Sequence, residues 1–378
     1  MGDSAMQVVI RSLRPDEFDS FMLFLERSYG HSRGLFVREY PHLYAPREDF
    51  CRNFMVAEED GRIAAHVGIF PMTVLAGDIL IPLAGIGGVA TAPECRGRNH
   101  MSTLLRHAIR RMRAEGYTVS GLGGDRQRYN AFGWEWSGLV YGLRFTTRSM
   151  TKAGVRPAAV REALSEEAIP VIEAHQRSMT CRVERHALDL LVKKQNLRFW
   201  ISDDGYVIGA GENRSSHSFL EVASAAGAEP ELIMGAMERL YAGEGTIMVS
   251  AWAGGALARL MRCAVSWTGY PDWCYRIVSL ESLFERFRPL LEKRAEALAD
   301  FECSLAIRDE EFPEAVTVCL RGGRLEIRPG IGARPLIELD AVSAARMLLG
   351  GPEIQAEVPS GLKNLLPLPL HVPPLDHV

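Results

Sequence analysis

One order of landmarks occurs twice in this chain of 378 residues, and that repetition constrains its fold more than any other feature. Asp60-Gly61 lies between two apolar runs, Phe54 to Ala57 and Ile63 to Phe70, which is a hairpin signal. Asp204-Gly205 again joins two such runs, Arg198 to Ile201 and Tyr206 to Ala210. Val89-Ala90-Thr91-Ala92 is echoed by Val222-Ala223-Ser224-Ala225. A helical pattern from Asn99 to Glu115, stopped at Gly116, is echoed by one from Pro230 to Tyr241 that runs into Glu244-Gly245-Thr246. Landmarks kept in order predict a duplicated unit in which strands and helices alternate, the word order of an α/β fold.

The elements around these landmarks fill out each unit. Phe18, Phe21, Met22 and Leu25 recur at helical spacing within Pro15 to Tyr29, after a short alternating run at Gln7 to Arg11. Ala76-Gly77-Asp78 marks a second hairpin, and Ile86 to Ala92 and Tyr117 to Leu122 read as buried strands. A short helix around Gln127 to Phe132 and a closing strand pair from Trp134 to Phe145 complete the first unit. Beyond Ser279 come a charged helix (Leu283 to Ala299), strands at Glu302 to Ile307, Ala315 to Leu320 and Arg324 to Arg328, and a helix over Asp340 to Leu349, a small α+β unit. The tail carries Leu366-Pro367-Leu368-Pro369 and Pro373-Pro374-Leu375, too apolar for a free linker, so it is expected to lie in a groove. Three units follow: residues 1–150, 151–280 and 281–378.

With 47 % apolar and 24 % charged residues the chain has the composition of packed protein, and a net charge of −4 argues against a non-specific nucleic-acid binder. Seven scattered cysteines, none in a C-x-x-C pair, suggest neither a disulfide framework nor a zinc site. No run of about 18 apolar residues is present to span a bilayer, and Met1 to Arg11 lacks a basic-then-apolar leader, so a cytoplasmic protein without a membrane span is expected.

The chemistry concentrates at one turn. A buried strand feeds Pro93-Glu94-Cys95-Arg96-Gly97-Arg98 and then a helix, the arrangement in which backbone N–H groups and the helix dipole hold a pyrophosphate. Arginines at a helix N-terminus oppose the dipole by a few tenths to about 1 kcal/mol each unless an anion compensates, so they signal function. The corresponding turn of the second unit, Ala226-Gly227-Ala228-Glu229-Pro230-Glu231, carries acids instead and would repel an anion. Arg106, Arg110, Arg111 and Arg113 alternate with apolar residues and read as the exposed face of an amphipathic helix, not a nucleic-acid surface.

The segment Val89-Ala90-Thr91-Ala92-Pro93-Glu94-Cys95-Arg96-Gly97-Arg98-Asn99, followed about thirty residues on by Tyr129-Asn130-Ala131-Phe132-Gly133-Trp134, resembles the GNAT family of acetyl-CoA-dependent N-acetyltransferases. The wider layout resembles its Eis subfamily, which has a working GNAT half, a GNAT-like half without a CoA site, and a C-terminal domain like sterol carrier protein. The resemblance implies that Val89, Ala90 and Thr91 pair with the pantetheine arm of acetyl-CoA. It puts Arg96, Gly97, Arg98, Asn99 and His100 around the pyrophosphate and makes Tyr129 the acid that protonates the departing thiolate. Asn99 stands where the motif has glycine, and Met101 at a small-residue position; Asn is the next most tolerant residue of positive φ. The resemblance further implies that the C-terminal carboxylate, here that of Val378, is the base, and that the protein is a homo-oligomer. A small-molecule or peptide amine is expected near Tyr29 and Phe36, within a lining stretch from Tyr29 to Phe50, with Asp376 attracting its positive charge. The alternative reading is a weak or inactive module that binds CoA or a hydrophobic ligand.

Overall fold

The computed structural model describes residues 8–210, 217–351 and 358–378; Gln7, at the head of the expected first strand, and the rest of Met1 to Gln7 lie outside them. Its described residues form a mixed α/β structure on three sheets. The first runs, in spatial order, Val8–Ser12, Phe54–Glu59, Arg62–Ala76, Ile79–Thr91, Val119–Leu122, Trp273–Ile277 and Glu135–Ser137, and Cys181–Val183 pairs with the far end of Arg62–Ala76. The second is Ser266–Tyr270, Val140–Thr146, Glu244–Ser250, His217–Ala223, Gly205–Ala210, Leu197–Ser202 and Arg161–Ala163. The third has four strands, Arg324–Pro329, Glu314–Arg321, Phe301–Arg308 and Leu336–Asp340.

The repeated landmarks fall on equivalent places. Asp60 (φ 50°) and Gly61 (φ 77°) form the two-residue turn with positive φ at both positions that suits a twisted hairpin. In the first half Ile79–Thr91 runs parallel to Val119–Leu122 with the helix His100–Ala114 as crossover. In the second His217–Ala223 runs parallel to Glu244–Ser250 across the helix Glu229–Arg239. Both are βαβ crossovers.

The two halves exchange strands, which the boundaries at 150 and 280 did not foresee. Val140–Thr146 does not close the first sheet against Glu135–Ser137; it pairs with Glu244–Ser250 and Ser266–Tyr270 in the second. Trp273–Ile277 returns to the first sheet, between Val119–Leu122 and Glu135–Ser137. Packing explains the crossing: Leu143 and Phe145 are buried with Ile247 and Val249 of the second half. Trp273 and Tyr275 are buried between the first sheet and the C-terminal unit. The expected groove for the tail is present, with Leu368, Leu370 and Val372 fully buried in that same core. Each such side chain contributes about 1.5–3 kcal/mol to holding the tail down. Among the described residues no helix is long and apolar enough to cross a membrane.

Candidate active site

The site starts from a parting of strands. Ile79–Thr91 and Val119–Leu122 are paired from Leu83 and Val119 to Ile86 and Leu122, and the register stops there. Beyond Ile86 the strand continues to Thr91 held only on its other edge, where Ala90 faces His66 and Thr91 faces Ala65. A bulge at Gly88 (φ 60°) shifts this register. A Cβ on Gly88 would lie 2.6 Å from the Tyr44 hydroxyl oxygen and 3.1 Å from the His66 ring, so glycine is required at this point. His66 Nδ1 donates to the Gly88 carbonyl at 2.7 Å, which fixes the bulge, and burial lowers the pKa of that ring to about 4. His66 is a fully buried prop under the strand, not an exposed base.

The parting leaves an edge able to pair with an extended ligand. Ala92 N–H donates to the Ala64 carbonyl, so by alternation along the strand the backbone groups of Ala90 also face the hairpin and those of Thr91 face the gap. Of the three residues expected to line the pantetheine arm, Ala90 therefore turns its backbone away, because its polar groups are taken by the hairpin partner. The Val89 carbonyl accepts a hydrogen bond from Tyr29 Oη at 3.0 Å.

The turn that follows is shaped by two left-handed residues, Gly97 (φ 80°) and Asn99 (φ 63°). Asn99 caps the helix His100–Ala114, and its carbonyl accepts from the Thr103 N–H at 3.0 Å, leaving the N–H groups of the first turn without intrahelical partners. Alternating handedness of this kind aims successive amides at one point and makes an anion-binding concavity. Met101 packs against the core of the first half. Arg96 is exposed, whereas Arg98 donates to Glu59 at 2.7 Å and to the Glu94 carbonyl at 3.2 Å. His100 is buried with Nε2 3.7 Å from Glu59, so its ring lies under the turn and only its backbone N–H is left for an anion.

At the other end of the gap a cavity of about 270 Å³ is lined by Tyr29, Phe36, Tyr44, Val89, Tyr129 and Val378 among others. Tyr129 comes from the helix Arg126–Asn130, whose start is capped by Asp125 accepting from the Gln127 N–H at 3.0 Å. The approach of its ring requires a glycine: a Cβ on Gly124 would stand 2.8 Å from Tyr129 Cε2. Burial raises the Tyr129 phenol above its ordinary value, against the opposing effect of Arg128, so it keeps its proton through neutral pH.

Val378 reaches this cavity because the tail is locked along its length. His371 Nδ1 lies 2.9 Å from Asp272, the Val372 N–H donates to Tyr275 Oη at 3.2 Å, and the His377 ring stacks on Trp273 at 4.4 Å. Arg185 holds both oxygens of Asp376, at 2.8 and 2.7 Å, while also gripping Glu221 in the strand His217–Ala223. The terminal residue then packs on bare backbone: a Cβ on Gly87 would be 3.1 Å from the Val378 carbonyl carbon, and one on Gly85 2.6 Å from its side chain. Asp376 is thus not an attractor for an amine. It is 6 % exposed and neutralised by Arg185, because a carboxylate buried that deeply needs a paired charge.

The sequence reading brought Tyr29, Phe36, Tyr129 and Val378 to this site, and the structure brings them together. It named the stretch that supplies Glu39, Tyr40 and Tyr44 without singling them out. Phe36, Tyr40 and Tyr44 recur at a spacing of four, one face of a helix, which was the available signal.

Residues 9–137 match the acetyltransferase (GNAT) domain family. No curated protein matches the sequence. Among solved structures, a GCN5-related N-acetyltransferase from Kribbella flavida is 18 % identical over the whole of both chains, with a TM-score of 0.72. A probable N-acyltransferase from Enterococcus faecalis is 17 % identical over 99 % of this chain and 100 % of its own, with a TM-score of 0.73. Eis1 from Mycobacterium abscessus is 12 % identical over 95 % of this chain and 96 % of its own, with a TM-score of 0.67.

Proposed function

We propose, from the GNAT acetyltransferase domain that this chain carries at residues 9–137, that the protein transfers the acetyl group of acetyl-CoA directly to a primary amine. The observation that carries the reading is convergence: the open strand edge at Val89 to Thr91, the Tyr129 hydroxyl and the end of the chain at Val378 meet at one cavity. The first-turn N–H groups of the helix His100–Ala114 and the exposed Arg96 hold the pyrophosphate, and Val89 and Thr91 pair with the pantetheine arm.

The amine first loses a proton, to the terminal carboxylate of Val378, and its nitrogen then attacks the thioester carbonyl carbon. As the tetrahedral intermediate collapses, the C–S bond breaks and the thiolate takes the Tyr129 proton, which solvent restores. A phenol raised by burial holds that proton until a base as strong as a thiolate is formed beside it. No covalent enzyme intermediate is needed. The same reading takes the third sheet and its helices as a domain like sterol carrier protein that delivers the tail to the cavity.

The test is acetyl-CoA added to the purified protein, followed by thermal unfolding and by CoA release with an amine panel. Saturating acetyl-CoA at 100 times its Kd raises stability by about 2.7 kcal/mol. No thermal shift at millimolar acetyl-CoA rejects the reading in favour of a module that binds some other ligand.

A further inference from the structure

The walls of the amine end of this cavity are aromatic to a degree the transfer chemistry does not require. Phe36 sits at the centre, with ring centroids 5.3 Å from Tyr29, 5.4 Å from Tyr44 and 6.4 Å from Tyr40. His31 stacks on Tyr29 at 5.5 Å and closes the rim. Against these rings the lining presents one acidic side chain, Glu39, at the end of the short helix Leu35–Glu39. The polar atoms of the rings are largely spoken for or shut away, since the Tyr29 hydroxyl donates to Val89 and Tyr44 is fully enclosed.

A positive charge already stands beside the site. Lys194 Nζ lies 4.9 Å from the centroid of Tyr40, and Glu39 raises the pKa of that ammonium while burial lowers it. A ligand with several separated ammonium groups would meet Lys194 at close range and find one acidic side chain to share. A single ammonium attached to a flat apolar body meets the opposite situation, with ring faces for its body and a carboxylate for its charge. The cavity, at about 270 Å³, has the size of about nine water molecules in the liquid, which suits one ring and a short amine arm rather than an aminosugar of several rings.

We infer that the acceptor is a monoamine carrying an aromatic or similarly flat apolar group, of arylalkylamine size, selected by Phe36, Tyr29 and Tyr40 and oriented by Glu39. The inference rests on the transfer reading for placing an amine in this cavity, but its test does not use turnover. Binding of 2-phenylethylamine, the neutral 2-phenylethanol and the triamine spermidine to the full chain is measured by calorimetry, without acetyl-CoA. The expected order is 2-phenylethylamine tighter than spermidine by about tenfold or more. Glu39→Gln weakens the amine and leaves 2-phenylethanol unchanged, whereas Phe36→Leu weakens both.

Spermidine binding as tightly as 2-phenylethylamine overturns the inference, as does an amine affinity that ignores Glu39→Gln. Failure of 2-phenylethylamine to bind also overturns it. The melting temperature of each variant separates lost affinity from lost fold. Acetyl-CoA is titrated separately, so its failure to bind removes the transfer reading while the amine affinities still decide this one.

Discussion

The two halves part the same pair of strands and use the gap differently. In the first, pairing of Ile79–Thr91 with Val119–Leu122 stops at Ile86, and the gap opens on a cavity of about 270 Å³. In the second, pairing of His217–Ala223 with Glu244–Ser250 stops at Phe219, and the chain's own His371, Pro373 and Pro374 line what remains, about 70 Å³. The helix starts differ in the same sense. Where the first half has Arg96 exposed beside free amides, the second has Glu229, buried and gripped by Arg259 at 2.8 Å through both oxygens. A duplicated framework has thus kept its architecture in both copies while the second serves as a track: the tail crosses it, is tied to its strand through Arg185 and Glu221, and ends in the cavity of the first.

If the second half is such a track, cutting the tie should hurt most. Arg185→Met leaves Glu221 and Asp376 buried without their cation and should cost about 3–5 kcal/mol in urea unfolding. In molecules that stay folded, transfer should fall much further than acetyl-CoA affinity. Equal losses of both would mean that the tail has no separate role.

Acid should loosen the first half's bulge and the tail together. Burial lowers the pKa of both His66 and His377 to about 4, whereas the unfolded rings titrate near 6.5. Between those values the unfolded chain binds more protons, so the stability these neutral rings carry is complete above about pH 6.5 and is lost as pH falls toward 4. The loss is on the order of 3 kcal/mol per ring. Denaturation curves at pH 7 and pH 4.5 read it, and a His66→Gln variant should show a shallower fall.

Tyr129→Phe should lower turnover about a hundredfold, since a positioned acid contributes 10² or more, with acetyl-CoA affinity nearly unchanged. Because burial raises the phenol, the wild-type rate should hold to higher pH than an ordinary tyrosine would allow. A rate unaffected by the substitution would remove the role from Tyr129.

The smallest of these effects concerns Asn99, the residue that departs from the family's glycine. Its φ of 63° is one that a β-branched residue adopts only under strain, so Asn99→Val should cost about 1–2 kcal/mol. Asn99→Gly should be tolerated, with acetyl-CoA affinity preserved or improved, as measured by titration.

How far the sequence reaches follows from the range of each interaction. The hairpins at Asp60-Gly61 and Arg321-Gly322-Gly323, the helix after Arg98 and the glycine at Gly97 are local, fixed by residues within a few positions, and each was legible. The strand Leu336–Asp340, which pairs in parallel with Phe301–Arg308, was not read. The exchange of Val140–Thr146 for Trp273–Ile277 was not legible, because an apolar strand carries no mark of the sheet it joins. Asp376 was misread for the same reason: its partner, Arg185, is 191 residues away in the chain. Tyr129 and Val378 came from motif and layout, while Glu39 and Tyr40 belong to no motif and became visible only when the rings were brought around one cavity.

The contrast between the halves predicts a stoichiometry. Titrating acetyl-CoA into the full chain by calorimetry should give one site per chain, weakened by Arg96→Ala in the first turn and untouched by Glu231→Gln in the second. Two sites per chain, or a single site that responds to Glu231→Gln and not to Arg96→Ala, would contradict the assignment of one working half and one supporting half.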